Sequence, residues 1–522
     1  MSATLTRTPV RPGGPSLPIE SPDMGRWMRE ILNRHAAVGF AVSVVRTGQP
    51  TTFATHGPSD VETGAPITPD TVFRIASISK TFTAIAVMQL WEDGLVDLDA
   101  PANDALRAYR LIPAKGSTKR ATLRHLLTHT AGIPELIQPW DLLRPDWGDS
   151  RPLDGPLPTL AELYGGGIEL HGEPGTVFTY SNHGFATLQQ IVEDVSGSTF
   201  DRYLHERIFE PLGMTDTDLR RTERLAARLA TGYEPGSSGP RRVTERAWTT
   251  PGASSVYSTT ADMARYIQAL LGGGANEQGR MLRPETLALM FAPHFRADPR
   301  VPGMGLGFDR SEADGHEVIG HGGILPGFNS QLFVAPNDGA GVIAWTTGAQ
   351  RAMLWLPTET GRLLDRLIGV PVETIRTDLP HRPETWPGLC GHYGFSGQLT
   401  DIRARLMTGF GADVYASGDR LMLRLLTPVS TLLRGLELHP DCETDPDVFR
   451  IDLGQFGLPT ARIVFSRSTG GDATAMHLDI FPMSLRRRGE PRRRPTGRQL
   501  AALSTLLAAG ATLVARRRST AS

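Results

Sequence analysis

"FRIASISKTFTAIAVMQLWEDG", Phe73–Gly94, is the stretch on which the reading of this chain turns. From Ser79 to Asp93 its apolar residues (Phe82, Ile85, Val87, Met88, Leu90) go nearly all the way round a helix, and the run stops at Gly94, a natural helix end. A helix without a polar face is a buried one. Ser77, Ser79 and Lys80 stand at its start. Residues three apart share a helix face, so Ser77 and Lys80 point the same way, close enough for proton transfer, while Ser79 lies off that face. Ser77 also stands at the positive end of the helix, where unpaired backbone N–H groups can stabilise an oxyanion.

The lysine itself is informative. Of 54 Lys and Arg residues only Lys80, Lys115 and Lys119 are lysines. Arginine stays charged, whereas a partly buried lysine can give up its proton and act as a base. A chain that uses arginine for ordinary positive charge keeps lysine where arginine would fail.

Composition sets the frame. At 522 residues, 40% hydrophobic and 21% charged, the chain has the make-up of an ordinary globular protein of two to four domains. A net charge of −1 argues against a nucleic-acid binder. Two cysteines, Cys390 and Cys442, exclude a disulfide-dense scaffold and are not spaced as a metal site. They allow one bridge or two free thiols. The first twenty residues hold no apolar run of signal-peptide length, so the expected location is cytoplasmic, and residues 1–22 read as a disordered lead-in.

Outward from the buried helix, "MGRWMREILNRHAAV" has helical periodicity, and "VGFAVSVVRTGQPTTFATHG" reads as a hairpin broken at "RTGQP". The middle is helical segments and Pro/Gly loops, with "TLRHLLTHTAG" and "STTADMARYIQALLGGG" as helices. From Glu317 short β runs return, "HEVIGHGG", "NSQLFVAP" and "GVIAWTTG", followed by the helix "RAMLWLPTETGRLLDRLIG". Strands at both ends with helices between predict an α+β domain over 23–378, its ends meeting in one antiparallel sheet flanked by helices, beside an all-helical region. The Pro-rich "PVETIRTDLPHRPETWPG" reads as a linker, and closely spaced short strands predict a small β-barrel-like domain over 385–488. The tail 489–522 is separate. "RRRGEPRRRPTGR" is a basic run, and the apolar "LAALSTLLAAGATLVA" is too short to span a bilayer but could lie weakly on an anionic membrane surface.

A Ser-x-x-Lys match occurs by chance in many long chains. Here it is joined by Tyr180 and Asn182 in "GTVFTYSNHG" and by His321, Gly322 and Gly323 in "IGHGGILPGF". In this order the motifs resemble those of the serine β-lactamases and penicillin-binding proteins. The likeness is greatest to the class C-like branch, which includes esterases, D-aminopeptidases and DD-peptidases. The resemblance runs from about Ala37 to Gly369 and takes in "LLTHTAGIP", "STTADMARY" and "MGLGF".

The resemblance implies a serine hydrolase with a β-lactamase-like fold and no cofactor or metal. Ser77 would be the acylated nucleophile and Lys80 its activating partner. Tyr180 would share proton transfer, and which of Lys80 and Tyr180 takes the first proton stays open. Asn182 would hold Lys80 and contact the acyl side chain. His321, Gly322 and Gly323 would line the cleft, and the oxyanion N–H groups would be those of Ser77 and Ile324. Many lactamases carry lysine where this chain has His321, and a neutral histidine offers no permanent cation to a substrate carboxylate. The expectation is therefore an ester or amide hydrolase acting on a small substrate. The alternatives are a β-lactamase or D-amino-acid/DD-peptidase, an acyltransferase, and a non-catalytic acyl-ligand receptor. His125 and His129, four apart in an expected helix, have the spacing of a metal pair but no third ligand, and read as packing residues. Glu173 reads as an exposed loop residue rather than a base.

Overall fold

The computed structural model describes residues 21–138, 141, 144–395, 411–426, 430–479 and 482–491. Residues 1–20 of the expected disordered lead-in 1–22, and nearly all of the tail with its membrane-surface reading, lie outside these; residues 21 and 22 open a helix instead. Among the described residues, no helix is long and apolar enough to cross a membrane.

Helix α1 (Ser21–Arg34) leads into β1 (Gly39–Arg46) and β2 (Thr52–His56). The rest of that sheet comes from far along the chain: β3 (Asp309–Ala313), β4 (His316–Leu325), β5 (Phe328–Ala335) and β6 (Ala340–Thr347). The strand order is β3-β4-β5-β6-β1-β2, antiparallel throughout, and β1 runs against β6 from the pair Gly39–Thr347 to the pair Arg46–Ala340. The ends of the domain thus meet in one sheet, as the sequence predicts. β3, which has little apolar character, is not legible in the sequence.

Side chains alternate across a strand, and β1 shows what this does. Phe40, Val42 and Val44 pack on one face with Trp27, Ile31, Trp355 and Leu363, from α1 and the C-terminal helix Ala352–Ile368. Ala41 and Val45 face the opposite side, whose core includes Phe82, Tyr266 and Ile343. That second core surrounds α2 (Ser79–Glu92), which is buried along its length from Ser79 to Leu90. Gly94 ends α2 at φ +70°, a conformation costly for residues with a Cβ, and the Leu95 N–H reaches back to the Leu90 carbonyl at 2.9 Å.

One predicted helix is shorter than its pattern. Only Leu123–Leu127 (α3) is helical, capped by Thr122, and His129 takes φ +56° beyond its end. His125 and His129 therefore share no helix face. Among the described residues no cluster of three or more metal-ligating side chains occurs.

Among the described residues the C-terminal domain is a nine-stranded antiparallel sheet between Gly391 and Gly489. Its two edge strands, Leu436–Glu437 and His439–Pro440, are separated by the single residue Leu438, so the sheet curls until it is nearly closed. Closure of this kind protects edges that would otherwise invite pairing. The basic run that leads into the tail begins inside this domain, within the bounds 385–488 expected for it. Arg486, Arg487 and Arg488 lie in the last strand, Ser484–Gly489, and Arg487 donates to the Cys390 carbonyl at 2.6 Å. Cys390 and Cys442 are not bridged.

The domains are joined by a polar clamp. Arg300 donates to Asp298 at 2.8 and 2.9 Å, to Asp445 at 2.9 Å and to the Phe465 carbonyl at 2.7 Å, while Ser466 donates to Asp298 at 2.6 Å. Burial alone would raise the Asp298 pKa. Hydrogen bonds from Arg300 and Ser466 outweigh it and hold the carboxyl well below the usual carboxylate range. A depressed pKa gives stability that is present above the unfolded value, about 4, and is lost as pH falls through the folded one. Asp298→Asn should therefore cost ~1–3 kcal/mol at pH 7. In urea melts the gap from wild type should shrink as pH falls below about 4; a gap independent of pH would remove the clamp from this role.

Candidate active site

Ser77 lies in a single 3-10 turn, Ala76–Ile78, that runs directly into α2. The turn is held under strain, with Ala76 at φ +52°. Ser79 braces it, donating from Oγ to the Ala76 carbonyl at 2.6 Å and accepting from the Val256 N–H at 3.0 Å. The two serines thus have different tasks: Ser79 is wholly buried as a strut, and Ser77 keeps part of its surface open.

Lys80 is buried to 0% exposure. Its Nζ donates to Ser77 Oγ at 3.1 Å, to Asn182 Oδ1 at 2.9 Å and to the Ala253 carbonyl at 2.9 Å. It also sits 4.8 Å from the Tyr180 ring centroid. Tyr180 and Asn182 flank the start of helix α4 (Asn182–Ser196). The Asn182 Nδ2 group donates in turn to Asp149 Oδ2 at 3.1 Å. His129 supports Tyr180 from the side: its ring lies 4.4 Å from the tyrosine ring, and its Nδ1 accepts from the Ser181 N–H at 3.2 Å. The kink that takes His129 off the α3 helix is what brings it here.

Strand β4 closes the site. A Cβ on Gly323 would fall 2.3 Å from the Ile75 carbonyl and 2.2 Å from Ser330 Oγ, so a glycine is required where the strand lies against the turn that bears Ser77. Leu325 and Phe328 close a two-residue turn, and the next pair is Ile324–Asn329. The alternation of an antiparallel ladder then points the Ile324 N–H away from β5. That edge is open, because β3 covers β4 only from His316 to Gly320.

His321 is buried, its ring centroid 6.4 Å from that of Tyr180, with Nδ1 at 2.7 Å from the Gly322 carbonyl. A carbonyl can only accept, so Nδ1 carries the proton and Nε2 is left as an acceptor. Burial lowers the His321 pKa, Asp309 opposes this, and Lys80 lowers it further. Burial raises the Asp309 carboxyl against the influence of His321 and Lys80.

The structure therefore brings Ser77, Lys80, Tyr180, Asn182 and the His321–Gly323 strand together. Glu173 is exposed and pairs with Lys119 at 3.3 Å. Sequence reasoning did not find His129's contact with Tyr180, or Asp149, Asp309 and the Ala253 carbonyl. None has a periodic or spacing signal, since each reaches the site from a loop, a strand end or, for Ala253, a single helical turn.

The beta-lactamase family model matches residues 24–363, and the chain belongs to that family of serine hydrolases. It is 28% identical to a human beta-lactamase-like protein over 371 residues, 67% of this chain and 69% of the relative. The D-amino acid amidase of Ochrobactrum anthropi aligns with TM-score 0.52 and 26% identity over 66% of this chain and 97% of its own. The octameric penicillin-binding protein homologue of Pyrococcus abyssi has TM-score 0.56 at 23% identity, a likeness of fold alone. Its alignment covers 89% of this chain and 99% of that one, so it extends into the C-terminal domain.

A lowered pKa keeps His321 neutral at pH 7, charging only below its ordinary value of 6.5. The charged form would set a second cation beside Lys80. Labelling of Ser77 by a fluorophosphonate should accordingly fall at acid pH, below 6.5, and His321→Gln should remove that component of the profile. An identical acid limb in the variant would exclude His321 from the network.

Proposed function

We propose that the protein cleaves an ester or amide of a small substrate through an acyl-enzyme on Ser77. The observation that supports this best is the set of partners around Lys80 Nζ. As an ammonium, Lys80 gives one N–H each to Ser77, Asn182 and Ala253. As a neutral amine it keeps two N–H groups and one lone pair. The Asn182 and Ala253 oxygens can only accept, so they take both hydrogens. The lone pair is then left facing Ser77 Oγ.

In the reaction, the Lys80–Tyr180 pair takes the Ser77 proton as Oγ bonds to the substrate carbonyl carbon. The N–H groups of Ser77 and Ile324 receive the developing oxyanion. Collapse breaks the bond to the alcohol or amine, which leaves with the proton held by the pair. Water then attacks the acyl-enzyme and gives a proton to the same pair; as the bond to Ser77 Oγ breaks, the pair returns that proton to Oγ and the acid is freed. The lysine ammonium beside the Tyr180 ring favours a phenolate there, so either group can carry the proton between steps.

Neutral His321 favours substrates without a carboxylate at that end of the cleft. The likeness to a D-amino acid amidase supports a second reading within the same chemistry, an amide of a small amino acid.

A fluorophosphonate should label Ser77, and Ser77→Ala should reduce turnover of a short-chain aryl ester to background. Lys80→Arg keeps the charge but not the capacity to lose a proton, and should lower kcat by roughly 10²–10⁴-fold. Full activity in either variant would sink the proposal. A panel of aryl esters, D- and L-amino acid amides and a chromogenic cephalosporin would then rank the substrate classes.

A further inference from the structure

Behind Asn182 lies a second polar layer that the proposed chemistry does not use. Asp149 follows the turn Pro145–Gly148 and is buried, as are His183 and Tyr164. Its Oδ2 accepts from Asn182 Nδ2 at 3.1 Å, and its Oδ1 lies 3.6 Å from His183 Nε2. His183 Nδ1 is 3.1 Å from the Tyr164 hydroxyl. Burial raises the Tyr164 pKa well above its ordinary value, so the phenol is neutral and can donate to Nδ1. That puts the imidazole proton on Nε2, facing Asp149. The Asp149 main chain is fixed as well, its carbonyl accepting from the Thr249 N–H at 2.8 Å and from Thr249 Oγ1 at 3.1 Å.

The orientation of a buried amide is set by what each end meets. The Asn182 amide lies between a cation donor and a carboxylate. Turned over, it would set its NH₂ group against the Lys80 ammonium and its oxygen against Asp149, two repulsive contacts in a medium that screens little. We propose that Asp149 is a positioning residue for nucleophile activation. It locks Asn182 with Oδ1 toward Lys80, and so aims the neutral lysine's lone pair at Ser77. His183 and Tyr164 hold Asp149 in place. This inference rests on the acyl-enzyme reading of Ser77. It adds that the carboxylate also sustains the Lys80 ammonium, one amide away, as a buried counter-charge beside the Asp309 carboxyl, with His321 on the opposing side.

With Asn at position 149 the acceptor-only restriction is gone, Asn182 can turn, and its NH₂ group can occupy the lysine's lone pair. Loss of the negative charge also disfavours the ammonium. The chain has three lysines, and Lys115 and Lys119 are exposed, so lysine labelled with ¹³C at Cε gives a readable Lys80 signal with internal references. In Asp149→Asn the Lys80 titration should move to lower pH. The plateau rate of Ser77 phosphonylation should fall roughly 10- to 100-fold, the worth of a charge-assisted hydrogen bond, with the thermal midpoint near that of wild type. An unchanged Lys80 titration or an unchanged plateau rate would overturn the inference. If Asp149→Asn does not fold, Asp149→Ser is read in the same way. Wild type that fails to label at Ser77 would remove the acyl-enzyme reading and this inference together. Normal labelling of wild type and variant alike would remove only the role of Asp149.

Discussion

A lysine amine with no exposure to solvent has to be met by acceptors, because a charge in the interior is tolerated only where hydrogen bonds and counter-charge replace water. Lys80 imposes that condition on the whole N-terminal domain. One partner, Ser77, is local, while Asn182 and Ala253 lie 102 and 173 residues further along the chain. Each is at the mouth of an element whose position is fixed by packing: Asn182 opens α4, and Ala253 sits in the short helical turn Pro251–Ser254. The apolar core around α2 is therefore what makes the polar site accurate. It holds the helix so that its first turn cannot shift away from its acceptors.

The sheet serves the same end. Pairing of β1 with β6 joins the two ends of the domain, and β4 then lies across the 3-10 turn bearing Ser77, close enough that Gly323 leaves no room for a Cβ. The C-terminal domain adds a further wall. Phe395 and Met483 pack in one apolar cluster with Phe178, Tyr180, Phe295 and Met304, so a residue from each end of the barrel's sequence touches the surroundings of Tyr180. The Asp298–Arg300 clamp fixes that approach. The second domain is thus mechanically part of the site's surroundings.

Much of this is written locally. The buried helix, the hairpin, the three strands from His316 to Thr347 and the choice of Ser77 over Ser79 all follow from periodicity and spacing, which are short-range properties. Two local patterns mislead. "TLRHLLTHTAG" has helical propensity, but a positive φ at His129 ends the helix so that its ring can pack on Tyr180. The arginines at 486–488 look like the start of a basic tail, yet they alternate along a strand in the middle of the barrel sheet, paired on both sides, where Arg487 is drawn in to the Cys390 carbonyl. In both cases tertiary contacts outweigh a weak local preference.

The sequence by itself determines the elements, the family and the residue types the proposed chemistry needs, because a serine and a lysine three apart at the start of an apolar helix, and motifs around a tyrosine and a glycine strand, are legible without any fold. Only the tertiary structure decides which oxygen faces Lys80, which way the Asn182 amide lies, and that Asp149, His129 and the Ala253 carbonyl complete the site. The physical reason is that hydrogen bonds and charge interactions fall off within a few ångström. Sequence separation carries no information about such distances until the core has closed around them.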